Sequence, residues 1–236
     1  MTHCPICGTY FCSEHFDNWW NSEQFDWQNN SWKLAAHCRE HFDKWWDEEK
    51  YNWAYSSREL VIFCSTCFDK WWNEEKFNWT DASCTLAQRC FKYFTKWWNE
   101  DKFNWTHASA ELAEHCADYF DMWWNAEKYN WQDASWALAQ YCYMYFDKWW
   151  NENKFNWKND SWALAQFCTD YFDVWWNAEK FSWKYSWTLA EYCLIHFDKW
   201  WNPDLFNARY IKYLEAFCDK YKEKWLDFKL YHTLKE

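Results

Sequence analysis

FDKWWNEEKFNW, residues 68–79, decides the fold, because the chain keeps writing it again. It returns as FTKWWNEDKFNW at 94–105, FDMWWNAEKYNW at 120–131 and FDKWWNENKFNW at 146–157. The paired tryptophans fall at 19/20, 45/46, 71/72, 97/98, 123/124, 149/150, 175/176 and 200/201, stepping by 26 residues six times and by 25 once. The short step lies in FSWKYSW, one residue less than FNWKNDSW in the repeat before it. A fixed period of this size predicts a helical solenoid, in which each unit is too small for its own core and is completed by its neighbours.

Composition points the same way. The 236 residues include Trp 28, Phe 20 and Tyr 16, but only Gly 1 and Pro 2. Turns that need a positive φ are therefore nearly excluded, and with them hairpin-rich sheets and glycine-loop nucleotide sites. Aromatics at this density also exclude disorder, since they have ample surface to bury. A net charge of −11 disfavours nucleic acid as a partner, because phosphate binding needs a surplus of Lys and Arg. No apolar run of signal-peptide type opens the chain, and none of about 18 residues is present to cross a bilayer. Thirteen cysteines without such a signal place the chain in an intracellular, reducing compartment, with no membrane insertion expected.

One unit, read from Ser135, is SWALAQYCYMYFDKWWNENKFNW. Leu138, Cys142, Tyr145, Phe146, Trp149 and Trp150 lie at offsets 0, 4, 7, 8, 11 and 12, which is one helix face. Ser31, Ser57, Ser83, Ser109, Ser135, Ser161 and Ser186 read as N-caps. Asn202-Pro203-Asp204 and Asn73-Glu74-Glu75 read as a second helix start after the tryptophans. Two geometries fit. The favoured one breaks the segment near the cysteine into two short antiparallel helices, with KFNW as the connector. The other runs a single helix of about 16 residues, roughly 24 Å long, followed by an extended return. The Asn or Asp at 26, 52, 78, 104, 130, 156 and 207 is expected to form a ladder or to cap backbone groups between layers.

The pattern W-x3-S-x3-A-x2-C-x3-F-D-K-W-W-N-E-x-K-F-N-W resembles the degenerate ankyrin-type repeats abundant in large DNA viruses of protists. Ser83, Ala87, Lys96, Trp97, Trp98, Asn99, Glu100 and Trp105 occupy similar places, and the match covers roughly residues 12 to 226. It departs at the turn, where no glycine appears. The resemblance implies an all-α solenoid of eight helical, ankyrin-like repeats with terminal caps, and a structural or host-interacting viral protein. The expected segments are an N-terminal cap at 1–15, the repeats at 16–201 and a capping repeat at 202–236. In the last, Leu214, Cys218 and Trp225 keep the period while lysines thin the aromatics.

The sharpest chemical constellation is Cys4-x2-Cys7-x4-Cys12-x2-His15, with the chain's one glycine, Gly8, where a knuckle would turn. Thiolates and imidazole at such spacings suit tetrahedral zinc, and four ligands make it a structural ion. Cys12 is also in register with Cys38 as the first repeat cysteine. The repeat cysteines Cys38, Cys64, Cys90, Cys116, Cys142, Cys168, Cys193 and Cys218 read as small buried core residues. Cys64-x2-Cys67 and His37-Cys38-x2-His41 are denser clusters without a second half. A catalytic group must be singular, whereas nearly every polar residue here is copied from unit to unit, so no enzyme is expected.

What varies at fixed offsets is the better guide to binding. The residues after the repeat cysteine change from unit to unit, and Phe91, Tyr143, Met144, Leu194 and Ile195 fall on that stripe as contact anchors. The expected function is a non-enzymatic protein–protein interaction scaffold, or a subunit that self-associates into a larger body. A single-stranded nucleic-acid binder, stacking bases on the tryptophans, is the weaker alternative.

Overall fold

Every long helix of the N-terminal half opens at a tryptophan. A computed structural model describes residues 3–233, so residues 1, 2 and 234–236 of the expected end segments lie outside the described residues. The chain divides into two compact units at Trp123/Trp124. The N-terminal unit carries α1 (Phe16–Trp19), α2 (Trp27–His37), α3 (Phe42–Trp45), α4 (Trp53–Cys64), α5 (Phe68–Trp71), α6 (Trp79–Cys90), α7 (Phe94–Trp97), α8 (Trp105–His115) and α9 (Phe120–Trp123). Its long helices pack in order, α2 on α4, α4 on α6 and α6 on α8. The C-terminal unit carries α10 (Trp131–Tyr141), α11 (Phe146–Trp149), α12 (Trp157–Phe167), α13 (Phe172–Trp175), α14 (Ser186–Tyr192), α15 (Phe197–Trp200), α16 (Ile211–Phe217) and α17 (Lys222–Thr233). There α10 packs on α12, α12 on α14 and α14 on α16. No strand occurs among the described residues, and no helix among them is long and apolar enough to cross a membrane.

The segment breaks at the repeat cysteine, as the helix-pair geometry requires, but the second helix is a single turn. α2 ends at Cys38 (φ −122°, ψ 26°), a 3₁₀ turn spans Arg39–His41, and His41 (φ −104°, ψ 24°) leads into α3. These bridge-region angles are open to any L-residue. That is how the chain turns without glycine. Among the described residues only Gly8 and Phe11 take a positive φ.

Two predicted helix starts are corrected. Ser31, Ser57, Ser83, Ser109, Ser135 and Ser161 lie a full turn inside their helices, and the caps are Asp26 and the asparagines instead. Asn78 Oδ1 accepts from the Asp81 N–H at 3.3 Å, and Asn104 from the His107 N–H at 3.3 Å. The buried serine does other work. Ser57 Oγ donates to the Trp53 carbonyl (2.6 Å) and accepts from the Asn78 N–H of the next repeat (3.1 Å), and Ser83 serves Trp79 and Asn104 alike. The asparagine answers with its amide, Asn78 Nδ2 donating back to the Ala54 carbonyl. So it caps its own helix and rungs to the one before.

The second correction concerns the residues after the tryptophans. Asn73-Glu74-Glu75 closes a turn rather than opening a helix: Asn73 Oδ1 accepts from the Glu75 and Lys76 N–H groups, and its carbonyl from Phe77. Asn202 repeats this with Asp204 and Phe206. The turn stops because Phe77 must return to the core, where it is buried.

The three tryptophans of each cassette have separate tasks. The first is fully buried and its indole N–H caps the last carbonyls of the preceding long helix: Trp45 to Cys38, Trp71 to Cys64, Trp97 to Cys90, at 2.8–2.9 Å. The second lies flat on the phenylalanine of its own short helix, Trp72 on Phe68 at 5.2 Å. The third opens the next helix and donates to the turn, Trp79 to Glu74 at 3.1 Å. Across the repeat boundary Tyr93 covers the other face of Phe68 at 4.5 Å and 9°. In the C-terminal unit His196 does the same for Phe172.

Opposite charges link neighbouring repeats. Lys44 reaches Asp17, Lys70 reaches Asp43 and Lys96 reaches Asp69, each on the exposed face. Exposed pairs fix register more than they stabilise. The serine joint matters more. Ser83→Ala would leave the Asn104 N–H without its acceptor, and is expected to cost about 1–3 kcal/mol in urea unfolding. An unchanged midpoint would show the hydroxyl to be dispensable.

At the C-terminal end, Leu214, Cys218 and Trp225 hold their core places. The usual third tryptophan is absent and Phe228 of α17 supplies the ring, against Trp201 at 5.5 Å and Phe206 at 5.9 Å.

Candidate metal centre and exposed ridge

Among the described residues no long helix precedes α1. In its place the chain folds a tight knuckle: Cys4 N–H bonds the Thr9 carbonyl and Gly8 N–H the Cys4 carbonyl, both at 3.0 Å, with His3 and Tyr10 bridged across it. Gly8 sits at φ 73°, in the left-handed region where a side chain is strained. The predicted quartet comes together. The ligand atoms of Cys4, Cys7, Cys12 and His15 all lie within 4.8 Å of one another. Cys7 Sγ is 3.5 Å from Cys12 Sγ, which is 3.5 Å from His15 Nδ1. A tetrahedral ion with bonds of about 2.3 Å to sulfur has ligand edges of about 3.8 Å, so the set fits such an ion.

The electrostatics divide the thiols. Hydrogen bonds from the Thr9 hydroxyl and backbone, and then from His15, bring the Cys7 thiol down to about 6. At Cys12 the His15 backbone N–H pulls the thiol down, but burial and the Cys7 and Cys4 sulfurs outweigh it and raise it. The Ile6 N–H points at Cys4 Sγ at 3.4 Å, the backbone donor a bound thiolate uses.

Cys12 also keeps its repeat register. Its carbonyl accepts the Trp19 indole at 2.7 Å, as Cys38 accepts Trp45. The ligand set is thereby bolted to the first core tryptophan. Sequence reasoning missed two neighbours. Thr9 tunes Cys7, and Phe11 plugs the open end of the core against Trp19, Phe25 and His37. Phe11 does so at φ 53°, a position no pattern of residue types flags.

The repeat cysteines are core. Burial pushes the thiols of Cys38, Cys64, Cys90 and Cys116 up to about 12, so they are neutral small hydrophobes. The denser clusters do not converge: His37 stacks on Phe11, while His41 stacks on Phe16 and bonds the Ser13 carbonyl. Among the described residues only the Cys4–His15 quartet groups three or more such ligands.

The variable stripe lies on the 3₁₀ turns that follow the cysteines. Phe91 is exposed in the N-terminal unit, and Tyr143, Met144 and Ile195 are exposed in the C-terminal unit, Ile195 at 82%. Leu194 is half-buried beside Ile195. A side chain on this ridge can change without disturbing the core, because the turn is held by backbone bonds and by the tryptophan below it.

Comparison with family models, curated proteins and solved structures finds no match for this chain.

Proposed function

We propose that this chain is a non-enzymatic protein–protein interaction scaffold, with a structural zinc ion in its N-terminal knuckle. One observation carries the scaffold reading. A near-constant frame holds up a ridge whose residues change from repeat to repeat, and in the C-terminal unit that ridge offers Tyr143, Met144 and Ile195 to solvent. Rigid frames with variable exposed anchors are suited to selecting a partner. The charge of −11 favours a basic protein over a phosphate backbone. Thiolates and imidazole are soft ligands that select zinc, and four of them leave no open coordination position for catalysis. The resemblance to degenerate ankyrin-type repeats makes a host-interacting protein of a large DNA virus the setting of this scaffold.

Sedimentation velocity across micromolar concentrations tests the reading. A scaffold for another protein stays monomeric as it is concentrated, and Met144→Lys with Ile195→Lys leaves its mass unchanged. Growth with concentration, abolished by those two substitutions, would replace the scaffold with a self-assembling subunit.

A further inference from the structure

In a chain built by copying, the places that break the copy are informative. The third residue of a long helix is polar in most repeats, and Asn29, Asp81, His107, Asp133 and Asn159 each give their backbone N–H to the capping side chain. In α4 that residue is Tyr55, its ring 82% exposed, and Asn52 makes no such cap. Four residues on stands Glu59, where the matching positions hold Lys33, Thr85, Glu111, Ala137 and Ala163, so that only Glu111 repeats the carboxylate. Facing them from α2 is Trp32, also exposed. Between the two helices lies a groove of about 610 Å³ lined by Gln28, Asn29, Trp32, Tyr55, Ser56 and Glu59.

Glu59 Oε2 is shut off from water and has no hydrogen-bond partner. Its counterpart Glu111 accepts from the Cys84 thiol at 3.1 Å, but in the Glu59 groove Trp32 stands where Cys84 would be. No lysine or arginine among the described residues forms an ion pair with Glu59. Lys33 sets its ammonium over Phe11 at 4.8 Å and near Trp32 at 5.4 Å, and exposed Arg58 acts on Cys84. A carboxylate oxygen withdrawn from water needs a donor or a cation. Indole and phenol faces attract ammonium and guanidinium groups. Both requirements meet in one groove, on a protein whose net charge draws cations toward it.

We propose that the α2–α4 groove binds an organic cation, an ammonium or guanidinium group, paired with Glu59 and lying against Trp32 and Tyr55. That the cation is a lysine or arginine side chain of a basic partner rests on the scaffold reading; the site itself does not.

The test is ¹⁹F NMR on protein labelled with 5-fluorotryptophan, the Trp32 signal being assigned from Trp32→Phe. Nα-acetyl-arginine amide, Nα-acetyl-lysine amide, spermidine and the uncharged Nα-acetyl-norleucine amide are titrated in turn. The Trp32 signal should move saturably with the charged amides and not with the norleucine amide. Glu59→Gln should weaken that binding at least about ten-fold, the size expected for losing a charge-assisted bond. Its melting midpoint should stay level or rise, because a buried amide is less costly than an unpaired carboxylate. No shift with any cation, or equal binding by Glu59→Gln, would overturn the site. Saturable binding of spermidine alone would keep the site and overturn a protein side chain as its source.

Discussion

Trp97→Phe is expected to destabilise the N-terminal unit by about 2–4 kcal/mol, and Trp97→Ala by about 3–5 kcal/mol or more. Trp98→Phe, at the next residue, is expected to cost less than about 1 kcal/mol. The contrast follows from the geometry. Trp97 is 1% exposed, packs edge-on to Phe94 at 4.9 Å, and caps the Cys90 carbonyl at 2.9 Å. Phenylalanine leaves part of that space empty and takes away the indole donor at the end of the helix. Trp98 is half-buried and packs its ring on Phe94 at 5.3 Å, Phe103 at 5.3 Å and Trp105 at 5.6 Å, ring contacts that phenylalanine largely keeps. Urea unfolding of the three variants, compared at equal m, measures the difference. Equal losses for Trp97→Phe and Trp98→Phe would mean that the indole hydrogen bond contributes nothing. A domain of ordinary stability has about 5–15 kcal/mol in total, so the larger loss puts it near unfolding.

Removing the proposed zinc should act locally and severely. In the purified protein, native mass spectrometry is expected to find one zinc per chain, lost with chelator and with Cys4→Ser. Hydrogen exchange should then accelerate by about ten-fold or more over residues 3–20, while the C-terminal unit is unaffected. Among the described residues no long helix precedes α1 to cover Trp19. It relies on the knuckle and on Phe11, whose left-handed backbone is held only because its neighbours are fixed. Freed from the ion, Cys12 loses the anchor that aims its carbonyl at the Trp19 indole. Absence of zinc together with unchanged exchange in Cys4→Ser would remove the metal from the account, leaving Cys4 as one more buried thiol.

The architecture was legible where the period was legible. Helix faces and the buried cysteines both follow from spacing, because the same offsets recur often enough to average out local noise. The helix starts were not. A serine that caps and a serine that bonds back to the residue four earlier look the same in sequence. Only the stronger claim of Asn78 and its counterparts to the cap position decides between them. Asn73-Glu74-Glu75 has the residues of a helix start, yet the burial of Phe77 a turn later forbids it. The metal quartet was legible because its ligands lie within twelve residues and must meet if the loop closes. Phe11 was not, since nothing in a residue type announces a left-handed backbone. The Glu59 groove stayed hidden for the opposite reason. It is a combination of Trp32, Tyr55 and Glu59, since Glu111 holds the same place as Glu59 but has the Cys84 thiol as its partner.

The joints between repeats carry a consequence for how the chain comes to be folded. The serine, asparagine and lysine bonds that join one repeat to the next reach back 21, 24 and 27 residues. No distant strand has to be waited for. Each length of chain leaving the ribosome finds its acceptors already in place on the one just finished, so assembly can follow synthesis like a zip closing behind its slider. In such a chain a lost joint is felt most by the repeat that is next to close on it.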